Sequence, residues 1–252
     1  MPLHATPPWR HGRASGLDLP PLFRAIALRE AGDAFAYALD VAGEQGAGTL
    51  VHVGRFDLAE FAVVLEPEEP LRGARRAIYA AMAALADALA AHAPPETPLH
   101  IVWPDAFMVD GGLVGGGRLA WPPAAAENDP PSWLVFAAMI RTAEGEAEPG
   151  LHAQATALDA EGFADFDSGR LVESFARHLM TAIDAWQRDG FGPVAESYLS
   201  RLEPESGVRR KIDLNGDLLV QRNGAAAAER RALLAALAQP SWLDPATGAP
   251  RQ

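Results

Sequence analysis

The chain has 252 residues, a formal net charge of −12 and 49% apolar residues. That length suffices for one sizeable core with a small appendage, while the acidic balance argues against nucleic-acid binding, which needs clustered cations. No run approaches the eighteen or so uninterrupted apolar residues of a membrane span, and the absence of cysteine excludes disulfides, thiolate metal sites and cysteine nucleophiles.

Lys211 is the only lysine, against twenty arginines, so any chemistry that demands a lysine must be done there or not at all. The first stretch, MPLHATPPWRHGRASGLDLPP, lacks the apolar segment of a signal peptide. Residues 1–19 read as a flexible lead-in, and a soluble, cytoplasmic protein is expected.

Residues 22–29 (LFRAIALR) alternate as a strand. A helix follows, with Phe35, Leu39 and Ala42 on one face and Gly43 and Gly46 closing it. GTLVHVGRF and EFAVVLEP read as two strands joined by a polar loop at Gly54-Arg55-Phe56-Asp57. A long helix is predicted over 72–92, with a stripe of Ile78, Met82, Leu85 and Leu89 and a stop at Pro94-Pro95.

PLHIVW (98–103) is a strand that enters the most informative stretch, VWPDAFMVDGGLVGGGRLAW (102–121). Here FMV and LVGGGRLAW pair as a hairpin across Asp110-Gly111-Gly112. SWLVFAAMIRT (132–142) is continuously apolar and predicts a central strand buried on both faces, and AEGEAEPG (143–150) predicts a solvated loop.

The helix predicted over 169–189 has Asp167 or Ser168 as its N-cap, Gly190 beyond its end, and a stripe of Val172, Phe175, Leu179, Ile183 and Trp186. Pro193 opens a shorter helix through Leu202. Composition shifts near residues 203–207. Beyond that point, VRRKIDLNGDLLVQR predicts a hairpin with an Asn-Gly turn, AAAAERRALLAALA a helix, and QPSWLDPATGAPRQ a tail without regular structure. The fold class is α+β: a mixed or antiparallel sheet with packed helices, then a small C-terminal hairpin and helix unit.

Several motifs fail on physical grounds. Gly115 to Ala120 fits the spacing of a dinucleotide fingerprint, but Pro122 and Pro123 deny it the helix N-terminus that would hold a pyrophosphate. A Walker loop is impossible without a Gly-Lys pair. DLNGDL (213–218) has its glycine at the wrong position for a calcium loop, and Gly224 stands where the loop needs a glutamate. The histidines never reach metalloprotease spacing, and His178 reads as a helix residue. There is no nucleophile elbow.

What remains is a strand, Trp103-Pro104-Asp105, a hairpin and Gly115-Gly116-Gly117. This run resembles the catalytic domain of the biotin and lipoate protein ligases, whose signature strand ends in Lys-Trp-Pro-Asn-Asp and is followed by a hairpin carrying a lysine and a glycine-rich strand. The order of elements around it is also similar, over about residues 20–220. The resemblance implies a ligase-like domain over 20–204 and a small C-terminal domain over 205–252. It also implies ATP-dependent, magnesium-assisted activation of a small carboxylic acid (biotin, lipoate or a relative) as an acyl-adenylate. The acyl group would then pass to a lysine of a biotinyl or lipoyl carrier domain. No nucleic-acid or membrane partner is expected, and the oligomeric state is open.

By the same resemblance, Trp103 and Pro104 shape the floor of the site, and Asp105 is a candidate catalytic residue and ligand for magnesium or the nucleotide. Gly115, Gly116 and Gly117 line the ligand cavity, where glycine lets backbone approach a ligand. Arg55 survives from an arginine-rich ligand loop. The family's lysines fall on Val102 and on about Gly112 or Leu113, none of which carries charge. The nearest cation is Arg118, which is always charged and bidentate but is no geometric copy of lysine, and it becomes the second catalytic candidate. Three functional readings stay open: an active ligase, an inactive relative that binds the acid, the adenylate or the carrier, and a structural or assembly protein with no small ligand.

Overall fold

A computed structural model describes residues 16–143, 154–163 and 166–252. Nearly all of the N-terminal lead-in and of the 143–150 loop lies outside the described residues.

Seven strands form one mixed sheet. In chain order they are β1 (Arg24–Leu28), β2 (Thr49–Val53), β3 (Leu58–Leu65), β4 (Leu99–Val102), β5 (Ala106–Val109), β6 (Gly112–Ala120) and β7 (Leu134–Arg141). Their spatial order is β1-β2-β3-β7-β6-β5-β4. Only β1 and β2 run parallel; every other pairing is antiparallel. The central position falls to β7, whose residues Leu134 to Ile140 are all buried. Its uninterrupted apolar run is what a strand covered on both faces requires.

One face is packed by helices α2 (Leu71–Ala74), α3 (Ala77–Ala90), α4 (Ser168–Asp189) and α5 (Gly192–Ser200). Twelve of the fourteen α3 residues are buried, because this alanine-rich helix packs on the sheet and is flanked by α4 and α5. The other face carries α1 (Ala34–Gln45), whose Ala34, Tyr37, Ala38 and Ala42 pack on Val51, Ala62, Val64, Val135 and Ala137. Asp33 caps α1 by accepting from the Ala36 amide at 2.8 Å, and Asp167 caps α4 through the Gly169 amide at 2.8 Å.

Two elements differ from expectation. The helix predicted over 72–92 is broken at Arg75–Arg76, where the Ile78 and Tyr79 amides bond three residues back. Arg75 is drawn to Glu127 and stacks on Trp121, while Arg76 pairs with Glu69 at 2.6 Å and covers Phe191. The helix predicted over 225–238 is instead a strand, β10 (Glu229–Arg231), and a single turn, α6 (Leu233–Leu237). Its alanines at 225–228 are exposed and have no apolar face to bury, so helix propensity has no tertiary support. β8 (Val208–Ile212), β9 (Leu218–Arg222) and β10 form a separate three-stranded antiparallel sheet. Asp217 organises it by pairing with Arg230 at 2.7 Å and accepting from the Leu233 amide at 2.9 Å. Ile212, Leu218, Val220 and Leu233 of this unit belong to the same buried cluster as α3.

Candidate functional site

The β5–β6 hairpin is closed by the Asp110-Gly111 pair, both with positive φ (45° and 82°), between the paired residues Val109 and Gly112. This is the backbone that a two-residue hairpin of this sequence favours. It brings Gly116 alongside Ala106 and draws the Gly117 amide to the Asp105 carbonyl at 2.8 Å. The three glycines have three different surroundings. A side chain on Gly115 (φ 146°) would meet the Met139 carbonyl oxygen at 2.0 Å, and one on Gly116 would strike the Asp105 carbonyl at 2.1 Å and the Trp242 ring at 2.3 Å. Gly117 faces the opposite side, toward Phe136 and Met82 in the α3 core, because neighbouring strand residues alternate. Of the three, only Gly116 opens toward the side chain of Trp242.

The Trp103-Pro104-Asp105 corner is held from below. The Trp103–Pro104 peptide is cis. The Trp103 indole donates to the Tyr79 hydroxyl at 3.0 Å, Tyr79 donates to the Gly216 carbonyl at 2.5 Å, and the Tyr198 hydroxyl donates to the Pro104 carbonyl at 3.0 Å. Tyr79 and Tyr198 meet edge-on at 4.5 Å. Trp103 is thus fixed by the helices α3 and α5 and by the C-terminal hairpin, and it packs against the main core.

Asp105 is 1% exposed. Its carboxylate accepts from the Ser241 hydroxyl at 2.8 Å and the Ser241 amide at 3.3 Å. Burial pushes its pKa up to about 6, against the opposing pull of those hydrogen bonds. Among the described residues there is no group of three or more His, Asp or Glu side chains able to hold a metal. Both Asp105 oxygens are engaged by Ser241, so neither is free for a magnesium ion while the 241–251 segment is seated. Asp105 serves here as a hydrogen-bond anchor.

On the same face as Gly116, two positions along β6, stands Arg118. Its guanidinium carbon lies 3.7 Å from the centroid of the Phe35 ring, at the first turn of α1. Burial lowers its pKa, against the attraction of Asp33 and Glu60. Among the described residues Arg118 makes no hydrogen bond or ion pair within contact distance. Arg55 is differently disposed: it pairs with Asp57 at 3.2 Å and approaches Glu60 at 3.8 Å. Glu60 is 4% exposed and accepts from the Ala34 amide at 2.7 Å, and burial raises its pKa. The fold therefore brings Arg55, Arg118 and Glu60 together at the N-terminus of α1, beside the glycine strand.

Four participants were not singled out from sequence. Glu60 had a signal, being a lone charge in an otherwise apolar strand. Phe35 looked like an ordinary stripe residue. Ser241 and Trp242 lie in a tail with no periodicity, yet Trp242 is fully buried and donates from its indole to the Gly117 carbonyl at 2.9 Å. Arg141, at the end of β7, holds the same tail by donating to the Pro250 and Arg251 carbonyls at 3.1 and 3.0 Å.

A seven-stranded mixed sheet with a Trp-Pro-Asp corner feeding a glycine-rich hairpin defines the class. The sequence matches the model of the Biotin/lipoate A/B protein ligase family over residues 19–200, and the chain belongs to that family. Its structure is similar to a biotin protein ligase-like protein of unknown function from Silicibacter sp. TM1040, at 27% identity and a TM-score of 0.75, covering 88% of this chain and 100% of that one. It shares its fold with the biotin protein ligase of Aquifex aeolicus in complex with biotin and ATP (14% identity, TM-score 0.60, 83% and 99% covered). The biotin protein ligase of Leishmania major in complex with biotinyl-5-AMP is also similar in fold (13% identity, TM-score 0.53, 84% and 99% covered). Among curated proteins no relative matches the sequence. No helix among the described residues is long and apolar enough to cross a membrane.

Proposed function

We propose that this protein takes a small carboxylic acid of the biotin and lipoate class, activates it with ATP, and passes it to a lysine of a carrier domain. Family membership supports the reaction class, and the fold neighbours that bind biotin, ATP or biotinyl-5-AMP support the ligand class. The observation that carries the reading is Arg118, a desolvated guanidinium without a hydrogen-bond partner among the described residues, on the sheet face that Gly116 opens.

In adenylation, an acid oxygen attacks the α-phosphorus of ATP and pyrophosphate leaves. In transfer, the carrier amine attacks the acyl carbon and AMP leaves. Both steps concentrate negative charge on phosphate oxygens, and a fixed cation in a water-poor site stabilises it. Arg118 rests on the Phe35 ring and can offer two parallel N–H donors to do this. Arg55, already paired with Asp57, would contribute by moving to the phosphate when a ligand arrives.

A second reading is binding without catalysis. It is favoured by the side chains where the family carries lysines, since Val102, Gly112 and Leu113 have no charge. ATP–pyrophosphate exchange with biotin, lipoate and octanoate, on the wild type and Arg118→Ala, separates the two. Exchange that Arg118→Ala abolishes supports the ligase. Ligand-induced thermal stabilisation without exchange for any acid supports the binder.

A further inference from the structure

We infer that the segment from Ser241 to Arg251 is an intramolecular plug, seated where the acid would lie over Gly116 and expelled when ligand binds. The inference rests on the acid-binding reading given above.

The segment makes four kinds of contact with the sheet. The Trp242 ring lies on Gly116, in a cradle that exists only because residue 116 has no side chain. The indole nitrogen bonds the Gly117 carbonyl, and Ser241 occupies both oxygens of Asp105. Arg141 clamps the far end through two carbonyls. An apolar ring in the slot, with a hydroxyl on the only buried carboxylate of the Trp-Pro-Asp corner, is the way an amphipathic small molecule would fill the same space.

Three features distinguish a removable plug from a piece of core. Trp242 packs in its own small cluster with Leu58, Ala106 and Met139, separate from the two large clusters on the faces of the sheet. Lifting it leaves those clusters intact. The segment also holds its own shape: the Arg251 amide bonds the Trp242 carbonyl at 2.7 Å, the Asp244 amide the Ala249 carbonyl at 2.9 Å, and the Gly248 amide the Asp244 carbonyl at 2.8 Å. Finally, the segment does not fill the space it sits in. A groove of about 1000 Å³ remains, lined by Val102, Met108 and Leu113 on the sheet side and by Trp242 and Arg251 on the tail side.

Hydrogen exchange read by mass spectrometry on the full chain tests this, with and without saturating biotin or biotinyl-5′-AMP, and with calorimetry on the same samples. Ligand should deprotect the amides of Trp242 to Arg251, by about tenfold or more, while β6 and β7 gain protection. Trp242→Ala and Ser241→Ala should both tighten binding, because they raise the fraction of chains with an open slot. If Trp242→Ala does not fold, Ser241→Ala, which keeps the indole, carries the affinity test. Ligand that binds the wild type while the tail amides keep or gain protection would make the tail a wall of the site and overturn the plug alone. Absence of binding to the wild type and to both variants would overturn the plug together with the acid-binding reading beneath it.

Discussion

The guanidinium carbon of Arg118 sits 3.7 Å from the centroid of the Phe35 ring, so the first turn of α1 holds the guanidinium that β6 presents. A cation–π contact of this kind is worth about 0.5–2 kcal/mol. Phe35→Leu keeps an apolar residue in place while freeing Arg118. It should weaken acid or adenylate binding by about two- to thirtyfold, with little change in melting temperature. Arg118→Lys should not restore binding, since an ammonium lacks the planar fork. Calorimetric titration of the three proteins checks both statements.

Asp105 gives the protein a pH dependence whose sign follows from its pKa, raised from 3.8 to about 6 by burial. A carboxyl whose folded pKa is raised contributes most below its unfolded pKa, and that contribution is lost as pH climbs through the folded value. Asp105→Asn carries no such charge. The stability of the variant relative to wild type should therefore be flat below about pH 4, rise between about pH 4 and 6, and level off above, by at most roughly 3 kcal/mol. Glu60, also raised, is present in both proteins and cancels. Urea melts across this range measure the difference, and a difference independent of pH would contradict it.

Gly116 should tolerate no side chain. A Cβ there would stand 2.1 Å from the Asp105 carbonyl oxygen and 2.3 Å from the Trp242 ring, and the first of these is backbone that cannot swing away. Gly116→Ala should destabilise the protein by about 1–3 kcal/mol. Gly192, the first residue of α5, has nothing within 4 Å of its missing Cβ. Gly192→Ala should be neutral or stabilising by up to about 1 kcal/mol. Thermal melts of the pair should move in opposite directions.

Tyr79→Phe removes a hydroxyl that accepts from Trp103 and donates to the Gly216 carbonyl. Two buried polar groups lose their partner, so the cost should be about 1–3 kcal/mol. Trp103→Phe should cost less through this network, because Tyr79 keeps its bond to Gly216. Combined, the substitutions should be less than additive, as expected of residues in one hydrogen-bond chain. Chemical denaturation of the single and double variants gives the coupling directly.

Much of the fold was legible because its strongest signals are local. The continuous run from Leu134 to Ile140 is short, apolar and rich in Val, Ile and Phe, as suits a doubly covered strand. Asp110-Gly111 carries its own turn geometry, and the 3.6-residue stripe of α4 is closed by Asp167 and Gly190. The signals that misled were also local. The alanines at 225–228 favour a helix in isolation, but Asp213 and Asp217 draw Arg230 into a strand pairing that propensity does not see. Arg75 and Arg76 break a helix because Glu127 and two aromatic rings wait for them across the fold, with Glu69 pairing Arg76 locally.

At the site, the sequence by itself determined which residue types were present. It placed Trp-Pro-Asp just ahead of a hairpin that carries three glycines, left Val102, Gly112 and Leu113 without charge, and made Arg118 the nearest cation in the chain. Only the tertiary structure decided which way each of them faces. Strand alternation turns Gly117 into the α3 core while Gly116 and Arg118 share the opposite face. Long-range packing brings α1 onto Arg118 and a tail more than a hundred residues away onto Gly116 and Asp105. Such contacts are made between surfaces that exist only once the chain has folded, so no spacing within the sequence encodes them.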